Sequence, residues 1–225
     1  RVGIETFKLE GVSAFKKDAN YLGTVNYEMR QKSKEFVLMV PYGAEESQIS
    51  KKMGVSYIEA GEIKKAYLDS FPNLRKYMNK CNYLAKTEGV ARTELGRVRH
   101  LGQVKSIYTL YGDQVLDYKY AKKNNKSDIR RKYKTLLNAA KNFPIQGLAA
   151  HIVNRAMIAT MREYKRLSID AWVALQVHDE ITCISKIEQA TLAAKILQEC
   201  MEKTTLLSIP LQAEPLIADN WADAK

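Results

Sequence analysis

The chain has little cysteine, and what it has is unorganised. Cys81, Cys183 and Cys200 are odd in number and scattered, which excludes a disulfide framework and a metal-ligand spacing. That usage predicts a reduced, intracellular protein. No apolar run approaches the roughly 18 residues that a membrane helix needs, so no membrane partner is expected. No apolar run follows the opening charge either, so residues 1–7 do not read as a secretory signal. A start at Arg1, without Met, reads as a fragment, a processed product or a trimmed piece. There is no internal repeat and no Pro/Gly/Ser linker. Acidic residues are also short, with 25 Asp+Glu against 36 Lys+Arg and a formal net charge of +11. That excess points to a polyanionic partner, nucleic acid first; plain solubility charge is the competing reading. Apolar residues are plentiful, at 46% of 225. A soluble chain of this length can bury a real core, as one large domain or two small ones.

Local signals divide most of the chain. Residues 26–40 have a helical, charge-rich pattern that stops at Pro41-Tyr42-Gly43, where proline removes a donor and glycine invites a C-terminal turn. Residues 47–53 read as a short helix with Gly54 behind it. A helix over 56–70 opens on a Ser56 cap with Glu59 three residues on. Pro72 sits in the first turn of a helix running to about Thr87. Residues 89–99 read as a hairpin. The stretch 119–134 is basic and reads either as a solvated face or as a DNA contact. Residues 136–164 are helical, with interruptions at Pro144 and Gly147. The clearest β signal is the apolar run 171–177, then His178-Asp179-Glu180, then 181–184. Residues 187–203 carry a helical apolar stripe, and 211–217 read as a last strand.

Three constellations carry chemistry. Adjacent carboxylates at the tip of a β-hairpin, in Gln176-Val177-His178-Asp179-Glu180, make sense beneath a divalent cation or a polarised hydroxyl. An ordinary turn is the plainer reading. Arg30, Lys34, Leu38 and Tyr42 are spaced by four, so on a helix they form one stripe of roughly 18 Å. A triphosphate could lie on its two cations, with sugar and base reaching Leu38 and Tyr42. The alternative is an amphipathic helix with solvated cations. Asn142 and Gln146 offer donor and acceptor groups beside Gly147. Such amides can test base-pair shape in the minor groove, whose acceptors vary little with sequence. They can equally cap a helix interruption.

Taken in order, Arg30-x3-Lys34-x7-Tyr42-Gly43, then Thr93-Glu94-Leu95-Gly96-Arg97, then Asn142-x3-Gln146-Gly147, then Gln176-Val177-His178-Asp179-Glu180, resembles the family A (polymerase I-like) DNA polymerases, of a phage type. The tail from Ala218 through Asn220-Trp221 to Lys225 is similar to that family's end. The resemblance covers about residues 26–225. It implies an α/β (α+β) fold: helical fingers at 26–135 and a palm at 136–225 built on an antiparallel sheet from 171–185 and 211–217. Residues 1–25 form an unassigned segment.

The resemblance also implies roles. Arg30 and Lys34 would grip the nucleotide's phosphates, with Lys34 catalytic. Leu38 falls where the family commonly has Phe or Tyr. Tyr42 would stack near the templating base, with Gly43 beside it on the primer–template. Arg97, Asn142, Gln146 and His178 would contact primer–template DNA. Asp179 would be a metal ligand with Glu180 in support, for two Mg2+ ions. Local departures are Pro41, Asn138 in place of an Arg, His151 in place of an acidic residue, and longer spacing between Arg97 and Gln146. The family's second metal carboxylate lies in an Asp-x-Ser-x-x-x-Glu motif that residues 1–29 lack. The expectation is therefore a split or fragmented polymerase in a bacterial cytoplasm. A second polypeptide would carry the missing palm motif, the thumb and an exonuclease, and the chain would be inactive without it. The rival is a non-catalytic DNA-binding accessory subunit that kept the fold.

Overall fold

The computed structural model describes residues 4, 7, 9–205 and 207–224. The reading of residues 1–7 lies outside them except at Ile4 and Phe7, as does Lys225 at the tail's end. The chain divides into two compact units. One takes in Arg1–Arg92 and Val98–Pro144, the other Thr93–Arg97 and Ile145–Lys225.

The first unit is helical apart from one small hairpin. Its elements are α1 (Leu22–Val25), α2 (Tyr27–Met39), α3 (Glu46–Met53), α4 (Tyr57–Ser70), α5 (Pro72–Thr87), β1 (Val90–Arg92), β2 (Val98–His100), α6 (Gly102–Tyr111), α7 (Tyr118–Lys123) and the first part of α8 (Ser127–Arg166). The caps are those that residue type predicts. Asn26 Oδ1 accepts from Met29 N at 3.0 Å and Ser56 Oγ from Glu59 N at 3.1 Å, each satisfying a first-turn donor. Phe36, Val40, Ala44, Ile49, Ala60 and Tyr67 form one buried cluster. Tyr133, Leu137 and Ala140 of α8 join Ala85, Ala91, Leu101, Val104 and Val115 in another. Local patterning did not announce α6; Val104, fully buried, fixes it to that second cluster.

The second unit holds β3 (Ala171–Val177) and β4 (Glu180–Ser185), paired antiparallel, and α9 (Ala190–Lys203). Val153, Ala156 and Ile181 form one cluster, and Tyr164, Ile169, Ala171 and Ala193 another. The Tyr164 hydroxyl donates to the Ala193 carbonyl at 2.9 Å, and burial raises its pKa.

Two expectations are corrected. Residues 211–217 are not a strand. Pro210 and Pro215 flank or enter the segment and cannot donate to a ladder. The segment instead bonds to α9: Ala213 N donates to Glu202 Oε1 at 2.9 Å, and Gln198 Nε2 donates to Ala213 O at 2.9 Å. Each described sheet is thus two-stranded. The second correction is that α8 runs unbroken through Pro144 and Gly147. A proline removes one backbone bond, but α8 is anchored on both sides of it, by Tyr133, Leu137 and Ala140 before and by Val153, Ala156 and Tyr164 after. Pro144→Ala should therefore restore a donor to Ala140 O and stabilise the chain by about 1–3 kcal/mol, read as a raised denaturant midpoint.

Candidate active site

The β3–β4 hairpin turns in two residues, His178 and Asp179, with Val177 opposite Glu180. Such tight turns demand positive φ at a central position, usually supplied by glycine or asparagine. Here His178 takes it, at φ 55°. Histidine is among the non-glycine residues that visit this region more readily. Gln176 Nε2 donates to the His178 carbonyl and holds the turn. His178, Asp179 and Glu180 are all exposed. Among the described residues the Asp179 carboxylate has no hydrogen-bond or ion-pair partner. Glu180 has one: Trp221 Nε1 donates to its Oε1 at 3.3 Å. Trp221 is held by a small turn in which Asp223 N donates to Asn220 Oδ1 at 3.2 Å.

Hard oxygen donors suit Mg2+, which is typically bound by one or two carboxylates together with water and substrate phosphates. Asp179, with Glu180 beside it, fits that demand. No group of three His, Cys, Asp or Glu that could cage an ion exists among the described residues. Alone, the pair could supply only part of a ligand set.

On α2 the spacing of four resolves into two faces. Ser33, Phe36 and Val40 are buried, while Lys34, Leu38 and Tyr42 are exposed. The helical turn continues past Met39. Ala44 N donates to Met39 O at 3.0 Å and Gly43 N to Val40 O at 2.9 Å, the two bonds of a Schellman end. Gly43 is its left-handed residue, at φ 88°. Pro41 lacks an N–H in this last turn, and Tyr42 N still reaches Leu38 O at 3.4 Å. The turn places Tyr42 one step beyond Leu38 on the same stripe.

Arg30 is half-buried and fixed: its Nε donates to the Tyr21 hydroxyl at 2.7 Å, and its guanidinium stands 5.9 Å from the Tyr21 ring centre. A Cβ on Gly23 would come within 2.8 Å of Arg30 Cδ and 2.4 Å of the Tyr21 ring, so glycine makes room for the pair. Among the described residues nothing pairs with Lys34.

Asn142 and Gln146 lie one turn apart on α8, the first half-buried and the second exposed. Arg97 is exposed at the end of the β1–β2 turn. There Thr93 N donates to Arg97 O at 2.9 Å and Arg97 N to Thr93 Oγ1 at 3.0 Å. Arg30, Lys34, Leu38, Tyr42, Gly43 and Asn142 thus belong to the first unit, and Arg97, Gln146, His178, Asp179 and Glu180 to the second. Sequence reasoning missed Tyr21 and Gly23, the Trp221–Glu180 bond, and the contact of Asn138 with Gly43. No spacing rule links these partners, because each joins residues in different elements.

The fold and the family match together place the chain among the DNA polymerases of one family. The family model for DNA polymerase family A matches residues 12–223, and the chain belongs to that family. The match begins upstream of residue 26, so it takes in Tyr21. DNA polymerase I of Bacillus caldotenax is 29% identical over 197 residues, covering 88% of this chain and 20% of that protein. DNA polymerase I of Deinococcus radiodurans is 28% identical over 202 residues, 90% of this chain and 19% of that one. The chain therefore spans about a fifth of the length of these curated relatives. The POL domain of Pol1 from M. smegmatis, solved in complex with DNA primer-template and dNTP, superposes with a TM-score of 0.73 at 25% identity. The superposition covers 94% of this chain and 32% of that one. The α-rich architecture with small antiparallel sheets is thus that of a polymerase domain in part. No described helix is long and apolar enough to cross a membrane.

Proposed function

We propose that this chain is the C-terminal fingers-and-palm portion of a DNA polymerase, acting on primer–template DNA and dNTP. The observation that carries the reading is the Asp179 carboxylate, exposed and without a partner among the described residues, at the tip of a hairpin where His178 just before it holds a left-handed backbone. Outliers of this kind concentrate at functional sites. The fingers role falls to residues 26–135, which apart from 93–97 lie in the first unit, and the palm role to 136–225, which includes the hairpin.

In this reading Arg30 and Lys34 bind the triphosphate, and Leu38 and Tyr42 pack on sugar and base. His178 orients the primer end. Asn142 and Gln146 read the minor-groove edge, Gly43 lets the template approach the helix end, and Arg97 holds the backbone. Asp179, supported by Glu180, would hold Mg2+. Two such ions, when bound, lower the pKa of the primer 3′-hydroxyl and offset charge on the phosphates. The hydroxyl gives its proton to solvent, its oxygen attacks the α-phosphorus, the bond to the bridging oxygen breaks, and pyrophosphate leaves. Lys34, a fixed cation with no competing partner among the described residues, neutralises charge on the leaving pyrophosphate. The remaining metal carboxylate comes from residues outside this sequence, on a longer form of the protein or on a second polypeptide.

The test is primer extension by the purified chain, alone and with the polypeptide that co-purifies from its native host. The chain alone should give no extension, and the combination should. Extension by the chain alone would refute the partial-site reading. DNA binding without synthesis in either preparation would favour an accessory subunit. Within the site, Tyr21→Phe keeps the ring but removes the acceptor that fixes Arg30. It should weaken dNTP binding by about 1 kcal/mol, roughly fivefold, in a nucleotide titration.

A further inference from the structure

One face of α8 carries Arg130, Lys134, Asn138 and Lys141, spaced as residues sharing a helix face. The loop that follows α2 lies along this face. Asn138 stands against Gly43. Arg130 reaches Glu45 Oε1 at 3.2 Å, and Lys134 pairs with the same carboxylate. Across the seam, Lys64 of α4 bonds Glu46 Oε1 at 3.0 Å. Both carboxylates are thus already engaged, and four cations face two anions.

Lys141 is the cation left over. It is only 9% exposed, and no hydrogen bond or ion pair to its ammonium forms among the described residues. Tyr77 donates to its backbone carbonyl at 2.7 Å, which fixes the main chain and leaves the charge uncompensated. The titratable groups around it are Lys64, Lys134 and the Cys81 thiol, with Tyr77 bonded to its backbone. Burial pushes the ammonium down to about 8, and Lys64 and Lys134 push the same way. An unpaired cation on a largely buried side chain beside other cations is costly. An anion is the partner that would relieve it, and phosphate suits a cluster of lysine donors.

We propose that Lys141, with Lys64 and Lys134 at its rim, forms a phosphate-binding site in the first unit. Its position on the face that also bears Asn138, one residue from Asn142, favours a phosphodiester of the single-stranded template ahead of the primer end. That source rests on the polymerase reading; free inorganic phosphate is the other source with the same chemistry.

Lys141→Met keeps the length and apolar stem and removes the charge. With the full chain, binding of a primer–template bearing a single-stranded template overhang is compared with binding of the blunt duplex. Inorganic phosphate is tested separately by thermal shift. For a template phosphate, Lys141→Met weakens overhang binding roughly fivefold and lowers its salt slope by about 0.7, leaving blunt-duplex binding unchanged. Wild-type overhang binding also falls as pH rises through 8. If phosphate stabilises the wild type but not the variant, and overhang affinity is unchanged, the site takes free phosphate. If neither readout depends on Lys141, the site is overturned while the polymerase reading stands. A wild type that binds no DNA overturns that reading and the template source with it, and the phosphate arm then decides the site alone. Should circular dichroism show Lys141→Met misfolded, Lys64→Met at the rim carries the same measurements.

Discussion

Asp179→Ala should abolish primer extension by the chain in combination with whatever supplies the second carboxylate. Asp179 has no structural partner among the described residues, so its loss removes only what it does for a ligand. A metal's stabilisation of phosphoryl-transfer charge is worth several kcal/mol, and each 1.4 kcal/mol or so is tenfold in rate. Losing one ligand should thus lower the rate by on the order of 10^3-fold or more. Stability should stay within about 0.5 kcal/mol, because the residue is exposed and its side chain bonds to nothing among the described residues. Binding of blunt duplex should be nearly unchanged, since Arg97, Asn142 and Gln146 are untouched. The comparison with Glu180→Ala sharpens the test. Glu180 accepts from Trp221, so its removal disturbs the tail as well as the hairpin and should cost less rate and more stability. Full synthesis by Asp179→Ala would move the chain into the accessory class.

Gly43→Val should destabilise the first unit by about 3 kcal/mol, and two causes contribute. Gly43 sits at φ 88°, where a β-branched residue is strained whatever surrounds it. A Cβ there would also fall 2.0 Å from Asn138 Oδ1. The two separate in a double variant. Asn138 is half-buried and short, so Asn138→Ala should recover the steric part, roughly half the loss, and leave the backbone part. A chemical-denaturation series on the four proteins gives the split; full recovery in the double variant would show that backbone strain is absent. Nucleotide affinity should fall alongside stability, because the Schellman end that Gly43 closes also sets Tyr42.

The elements most legible in the sequence were those whose signal is local. The apolar run 171–177 is β3 to the residue, because both a continuous apolar run and a short polar turn were present. Ser56 caps a helix and Pro72 opens one, for reasons contained within a few residues. The readings that failed were settled at a distance. Residues 211–217 read as a strand, yet Gln198 and Glu202 of α9 take the backbone groups of Ala213 at its centre. Pro144 looks like a break, yet buried clusters on either side hold α8 continuous.

The candidate site divides the same way. By itself the sequence determined which residue types recur and at what period. That is enough to put Lys34, Leu38 and Tyr42 on one face and two carboxylates at a hairpin tip, because helix and strand geometry turn spacing directly into direction. Only the tertiary structure decided which of those charges are already taken. Arg30 is held by Tyr21, Glu180 by Trp221, and Lys134 by Glu45, while Lys34, Asp179 and Lys141 have no partner among the described residues. A hydrogen bond or ion pair forms only where two groups come within about 3–4 Å. For residues brought together from separate elements, that distance is set by packing and not by spacing along the chain.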